Sequence, residues 1–175
     1  MKPSTHRWLL LPLCLTVICI LLASLPLAKE RRERDLLPII YAAAQEFDVP
    51  VATVLAVIRT ESGFREDAVS AAGAMGLMQL LPETFLWISE EKLCEGYDIR
   101  RITEPNVNIR YGTYYLSYLY RRFGDWSVAL AAYNAGEGNV ELWLEDGLPL
   151  RIPFPETRVY VSRVLRRTEY YAKKY

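Results

Sequence analysis

Glu61 closes an apolar helical stretch that begins at Val49, and the glycine-bearing loop Gly73-Ala74-Met75-Gly76-Leu77-Met78-Gln79 follows it. At about 100° per residue, Val51, Val54, Leu55 and Ile58 form one apolar stripe with Glu61 at its edge. A carboxylate placed there is withdrawn from water. That disfavours its charge, raises its pKa and suits it to general acid work near neutral pH. Read from the helix alone, Glu61 fits a helix-end cap or a salt bridge better. The loop shifts the balance. Gly73 and Gly76 permit close backbone approach, Met78 offers adaptable apolar surface, and the Gln79 amide donates and accepts. Such a mixture suits an uncharged polar ligand with apolar faces, such as a sugar.

A second cluster is Ala131-Ala132-Tyr133-Asn134-Ala135-Gly136. Asn134 could meet an amide on a ligand, and Tyr133 brings a ring and a hydroxyl; a plain helix C-terminus accounts for the same residues. Tyr111, Tyr114, Tyr115, Tyr118 and Tyr120 crowd one segment, as core or rim with one or two free to stack on sugar rings. Other chemistries lack parts. The only histidine is His6, so neither a Ser-His-Asp arrangement nor a histidine zinc site can be assembled. No phosphate-cradling Gly-x-x-x-x-Gly-Lys pattern occurs. Cys14 and Cys19 fall in an apolar run, leaving Cys94 without an intradomain partner. Carboxylate acid–base chemistry remains.

The elements that must position these residues read as helices almost throughout. The pattern predicts helices over 36–47, from Pro50 through Glu61, from Pro82 to about Leu93, from Pro105 to Phe123, and from Trp126 to Tyr133 after an Asp125 cap. Asn134-Ala135-Gly136 reads as a break, followed by a short segment over 140–144 that ends at Gly147 and a closing helix over 156–173. No β-alternation or internal repeat is evident. The fold class is mostly α.

The 175-residue chain has room for one domain and a short appendage. Lys plus Arg and Asp plus Glu both number 21, so the balanced charge points away from a nucleic-acid partner. Trp8 to Ala28 carries no charge, and roughly 20 apolar residues suffice to span a bilayer. Lys2 and Arg7 precede this run, as in a signal sequence or anchor. Pro26 spoils the best cleavage site, after Ala28, which favours an uncleaved anchor. The expected organisation is therefore a signal anchor or signal peptide over 1–28, a charged linker over 29–35 and a globular domain over 36–175. Lys29, Arg31, Arg32 and Arg34 outnumber the basic residues before the run, which by itself would leave the domain in the cytoplasm.

Taken in order, Glu61-Ser62, Gly76-Leu77-Met78-Gln79-Leu80-Leu81-Pro82, Asn106 to Gly112, Ala132 to Gly136 and Pro153 to Val161 resemble the Slt-type lytic transglycosylase domain, a relative of goose-type lysozyme. The resemblance covers about 36–171; Met75 departs from it mildly, where a small residue is common. It implies a lysozyme-like helical fold in which Glu61 is the sole catalytic acid/base. Ser62 would hydrogen-bond near it, Met78 and Gln79 would line the sugar cleft, and Tyr133 and Asn134 would lie close to the reacting group. The stretch Glu156-Thr157-Arg158 would brace the fold. The substrate implied is the peptidoglycan glycan strand, cut between N-acetylmuramic acid and N-acetylglucosamine with a 1,6-anhydro product, and no metal or cofactor is required. Peptidoglycan lies outside the cytoplasmic membrane, so the resemblance puts the domain on the outer face, against the basic-residue count. Two alternatives stand beside it: a goose-type hydrolase, with Glu66 or Asp67 as second acid, and a non-catalytic glycan-binding module of a membrane assembly.

Overall fold

The computed structural model describes residues 30–145 and 151–175. The apolar run of residues 8–28 and the expected helix end at Gly147 lie outside the described residues. Among the described residues, no helix is long and apolar enough to cross a membrane.

Residues 30–47 are helical (α1), and a compact unit spans Leu36–Tyr175. The charged stretch expected as a linker is thus helical over 30–35. Its Arg and Glu residues are good helix formers, and Arg31 and Asp35 pair one turn apart at 4.0 Å. Helix α2 is Val51–Glu61, α3 is Pro82–Trp87, α4 is Pro105–Phe123, α5 is Trp126–Ala135, α6 is Glu137–Glu145 and α7 is Pro155–Lys174. Proline opens α3, α4 and α7, where its missing N–H costs nothing. The Asp125 carboxylate caps α5 by accepting from the N–H groups of Ser127 and Val128. Gly124 ends α4 in the left-handed conformation, φ 71°.

Three boundaries differ from expectation. Helix α6 opens at Glu137, ahead of the expected segment over 140–144. The third helix gives way at Ile88 to a π-helical turn, Ile88–Lys92. Helix α5 runs to Ala135, so Asn134 is helical and the break falls at Gly136, φ 89°. Among the described residues the only β pairings are isolated bridges, Val69 with Met75 and Met75 with Leu80, which fold the glycine loop on itself.

Helix α2 is the central rod. Val54, Leu55, Ala56, Val57 and Ile58 are all fully buried, so the predicted stripe understates its burial. It packs on α7, which also contacts α5, while α5 contacts α4. A second core gathers Leu80, Phe85, Ile88, Ile102, Val107 and Tyr111 beneath α3 and α4. Leu77 and Met78 belong to the first core and Leu80 to the second, so the glycine loop joins them.

Candidate active site

Asn108, fully buried on α4, pins the glycine loop. Its Oδ1 accepts from the Met78 N–H at 2.7 Å, and its Nδ2 donates to the carbonyls of Met75 (3.1 Å) and Ile102 (2.6 Å). Gly76 has φ +79°, and a Cβ there would sit 2.4 Å from the Asn108 amide nitrogen, so glycine is required twice over. A Cβ on Gly112 would come within 2.5 Å of the Met78 sulfur. Met78 is thus a core residue seated on α4. Its expected place on the sugar cleft is not where its side chain lies; the space opened by Gly112 draws it inward. Its carbonyl is used instead, accepting from the Tyr133 hydroxyl at 2.8 Å.

Ser62 is buried too. Its hydroxyl donates toward the carbonyls of Leu77 (2.8 Å) and Ile58 (3.2 Å), and accepts from the Phe64 N–H. It therefore ties the end of α2, where Glu61 sits, to the glycine loop. Gln79 donates from Nε2 to the carbonyls of Ala68 (3.0 Å) and Gly76 (2.9 Å).

Two adjoining hollows share Gln79, Leu81, Tyr133 and Asn134. One, about 390 Å³, contains Glu61, Ser70, Ala71, Ala72, Ala74 and Glu156. The other, about 310 Å³, runs on past Leu80, Glu83, Thr84, Tyr115 and Gly136. Of the predicted site residues, Glu61, Gln79, Tyr133 and Asn134 meet in this groove, and Ser62 and Met78 stand behind it. Asn134 is half-buried and makes no side-chain hydrogen bond to a described residue, leaving its amide open to the groove. Of the α4 tyrosines, Tyr115 alone lines the groove; Tyr111 is buried and donates to Glu95, and Tyr120 stacks on Trp126.

Glu61 retains an opening to the groove, yet its carboxylate is packed closely enough for burial to push its pKa from the ordinary 4.5 to about 7. The Tyr160 hydroxyl donates to Glu61 Oε1 at 2.6 Å and pulls the other way. The C-terminal end of α2 carries the negative pole of the helix, which also disfavours the anion. Tyr160 and Tyr133 are held well above their ordinary pKa, by burial first and by the neighbouring Glu61 charge, so both remain hydroxyl donors.

Tyr160 was not legible in the sequence as a site residue. It comes from α7, 99 residues away, and only the packing of α7 on α2 delivers it. Glu156 is the second surprise. Expected to brace the fold, it lies on the groove wall, while its neighbours do brace: Thr157 is buried and Arg158 donates to the carbonyls of Ile152 and Pro153. Glu66 and Asp67 are exposed and absent from the groove lining.

The order of these elements is matched elsewhere: residues 38–147 fit the family model described as Transglycosylase SLT domain. The chain belongs to that family. It is 37% identical over 134 residues to the soluble lytic murein transglycosylase of Escherichia coli K12, an alignment covering 71% of this chain and 21% of that protein. It is 31% identical over 157 residues to membrane-bound lytic murein transglycosylase C of Haemophilus influenzae PittEE, covering 78% of this chain and 41% of that protein. Among solved structures, an inactive mutant of the lytic transglycosylase Slt of Pseudomonas aeruginosa superposes with a TM-score of 0.73 at 37% identity, covering 78% of this chain and 24% of that one. A 70-kDa soluble lytic transglycosylase in complex with bulgecin A superposes equally well, at 34% identity and 24% of its length. This SLT domain is therefore the mostly helical, lysozyme-like fold, and the chain spans about a fifth to two-fifths of these curated relatives.

Proposed function

We propose that the protein cleaves the β-1,4 bond between N-acetylmuramic acid and N-acetylglucosamine in peptidoglycan, with Glu61 as both acid and base and no water consumed. The observation that carries this reading is a single carboxylate at the inner end of a groove, withdrawn from water and pushed to about pKa 7. Protonated Glu61 gives its proton to the glycosidic oxygen as the bond breaks. The substrate's own 2-acetamido oxygen closes on the cationic carbon, supplying the nucleophile that a glycosidase with two carboxylates provides itself. Glu61, now a carboxylate, takes the proton of the muramic 6-hydroxyl, and that oxygen displaces the acetamido group to form the 1,6-anhydro ring.

The open amide of Asn134 is placed to meet the acetamido group. Gln79 and Tyr133 shape the groove, with Ser62 and Met78 holding the loop from behind. Tyr160 orients the Glu61 carboxylate through its hydrogen bond to Oε1. We assign residues 36–175 to the catalytic domain and 1–28 to a membrane anchor that keeps it on the wall-facing side. The membrane-bound naming of one relative supports a lipid-proximal setting.

Glu156 on the groove wall favours a second reading, hydrolysis with Glu156 positioning a water, as in glycosidases that carry two acids. Both readings need Glu61. Replacing it, Glu61→Gln, is expected to lower turnover of purified peptidoglycan by about a hundred- to ten-thousandfold while glycan binding persists. Turnover within a few-fold of the native rate would end both.

A further inference from the structure

Helix α7 packs one side into the core through Thr157, Tyr160, Val161, Val164 and Tyr171. Its outer side carries Val159, Arg163, Arg166, Arg167, Tyr170 and Lys173, at the i, i+4, i+7, i+8, i+11 and i+14 positions of one helical face. At about 1.5 Å per residue the stripe is about 21 Å long and on the outside of the fold. Val159 and Tyr170 leave 53% and 59% of their surfaces exposed within it. Arg59 of α2 joins it at the side: burial together with the charges of Arg59, Arg163 and Arg166 bears on the Arg167 guanidinium, which donates to Thr60 Oγ1 at 2.8 Å. Among the described residues, no carboxylate forms an ion pair with any of these four arginines. Glu169, an acid of the same helix, flanks the stripe, three residues after Arg166 and four before Lys173, and pairs with neither among the described residues.

Elsewhere on the domain some arginines are matched, Arg110 with Glu46 and Glu95, Arg101 with Glu104, and Arg122 with Glu137 and Glu141, but nowhere else among the described residues do four of them gather on adjoining helix faces. Four like charges held together without counter-ions cost folding energy, and an anionic partner would relieve that cost. Guanidinium forks pair with phosphate oxygens two bonds at a time. A flat basic helix face interleaved with a tyrosine and a valine fits a plane of phosphates over an apolar interior better than a single small anion. Tyrosine settles at the headgroup level of bilayers, and each basic residue near an anionic surface strengthens attachment.

We propose that the outer face of α7, with Arg59, docks the domain on an anionic phospholipid surface. None of the basic residues of the stripe lines the groove, and this proposal does not depend on the cleavage chemistry. Seven residues before Arg163, Glu156 lies on the same side of α7 and on the groove wall, so docking would fix how the groove stands relative to the lipid.

The test is vesicle sedimentation of the full chain. Phosphatidylcholine vesicles are compared with vesicles containing phosphatidylglycerol, at low and high salt, so that any apolar attachment common to both lipids cancels. The native protein is expected to partition at least about tenfold more strongly to the anionic vesicles at low salt, a preference erased at about 1 M salt. The variant Arg163→Gln/Arg166→Gln/Lys173→Gln, which leaves the groove and Arg167 intact, is expected to lose that preference while still cleaving peptidoglycan in solution. As a readout independent of the triple variant, Tyr170→Trp is expected to shift its added emission to the blue on anionic vesicles alone. Equal partition of the native protein to both lipids would overturn the proposal, as would a triple variant that keeps the anionic preference. Loss of retention on anionic wall polymer with lipid preference unchanged would likewise overturn it and assign the stripe to the wall.

Discussion

The proton of Glu61 is governed by two opposed neighbours, the apolar packing that raises its pKa and the Tyr160 hydroxyl that lowers it. The packing wins, and stability then depends on pH in an unusual direction. The folded chain holds this proton up to about pH 7, whereas the unfolded chain releases it near 4.5. Folding is therefore penalised progressively as pH rises through that window and by a constant amount above it. Glu61→Gln removes the penalty. Its stability relative to the native protein is expected to be unchanged near pH 4 and to grow to at most about 3 kcal/mol by pH 8, read from denaturant curves at both pH values. A difference that stays flat with pH would contradict the buried, protonated carboxylate. Tyr160→Phe removes the opposing hydrogen bond and is expected to move the alkaline limb of kcat/KM to higher pH, with kcat reduced and the fold retained. An unmoved limb would mean that Tyr160 only fills space. The sequence carried Glu61 itself, through the spacing of its apolar neighbours. It could not carry Tyr160 or Glu156, because nothing within α7 reports which residues of α2 or of the loop it will meet.

At the scale of elements, the site depends on a loop that makes almost no regular structure and is held by Ser62 at the end of α2, Tyr133 of α5 and above all Asn108 of α4. Asn108 satisfies one N–H and two carbonyls at once, and Gly76 exists in the only form that leaves room for it. Asn108→Ala strands the Met78 N–H and the Ile102 carbonyl and leaves the Met75 carbonyl with the Leu80 N–H alone. It is expected to destabilise the fold by about 2–4 kcal/mol, measured by denaturant titration, and to cost activity through the displaced loop. A loss below about 1 kcal/mol would show that the loop is held by other means. The helix starts were readable, since proline and the Asp125 cap act locally. The end of α5 was not. Asn134-Ala135-Gly136 looks like a stop, but the helix continues through Ala135, and Gly136 takes the turn, φ 89°. Met78 misled for a related reason. Its flexible apolar chain suits a cleft, and only the missing Cβ of Gly112 on another helix reveals that it turns inward.

Over the whole molecule, helix class and element order were legible because strong periodicity and punctuation survive without tertiary information. The groove was not, since it forms where α2, α5, α7 and the glycine loop converge from distant parts of the chain. Its chemistry turns on whether the one deeply placed carboxylate acts alone or with Glu156. Mass spectrometry of purified peptidoglycan digested by the full-length protein tests this most directly. The account predicts fragments ending in 1,6-anhydro-muramic acid, produced without incorporation of oxygen from labelled water. Reducing ends that carry the label would contradict it and make the protein a hydrolase with Glu156 as its second acid.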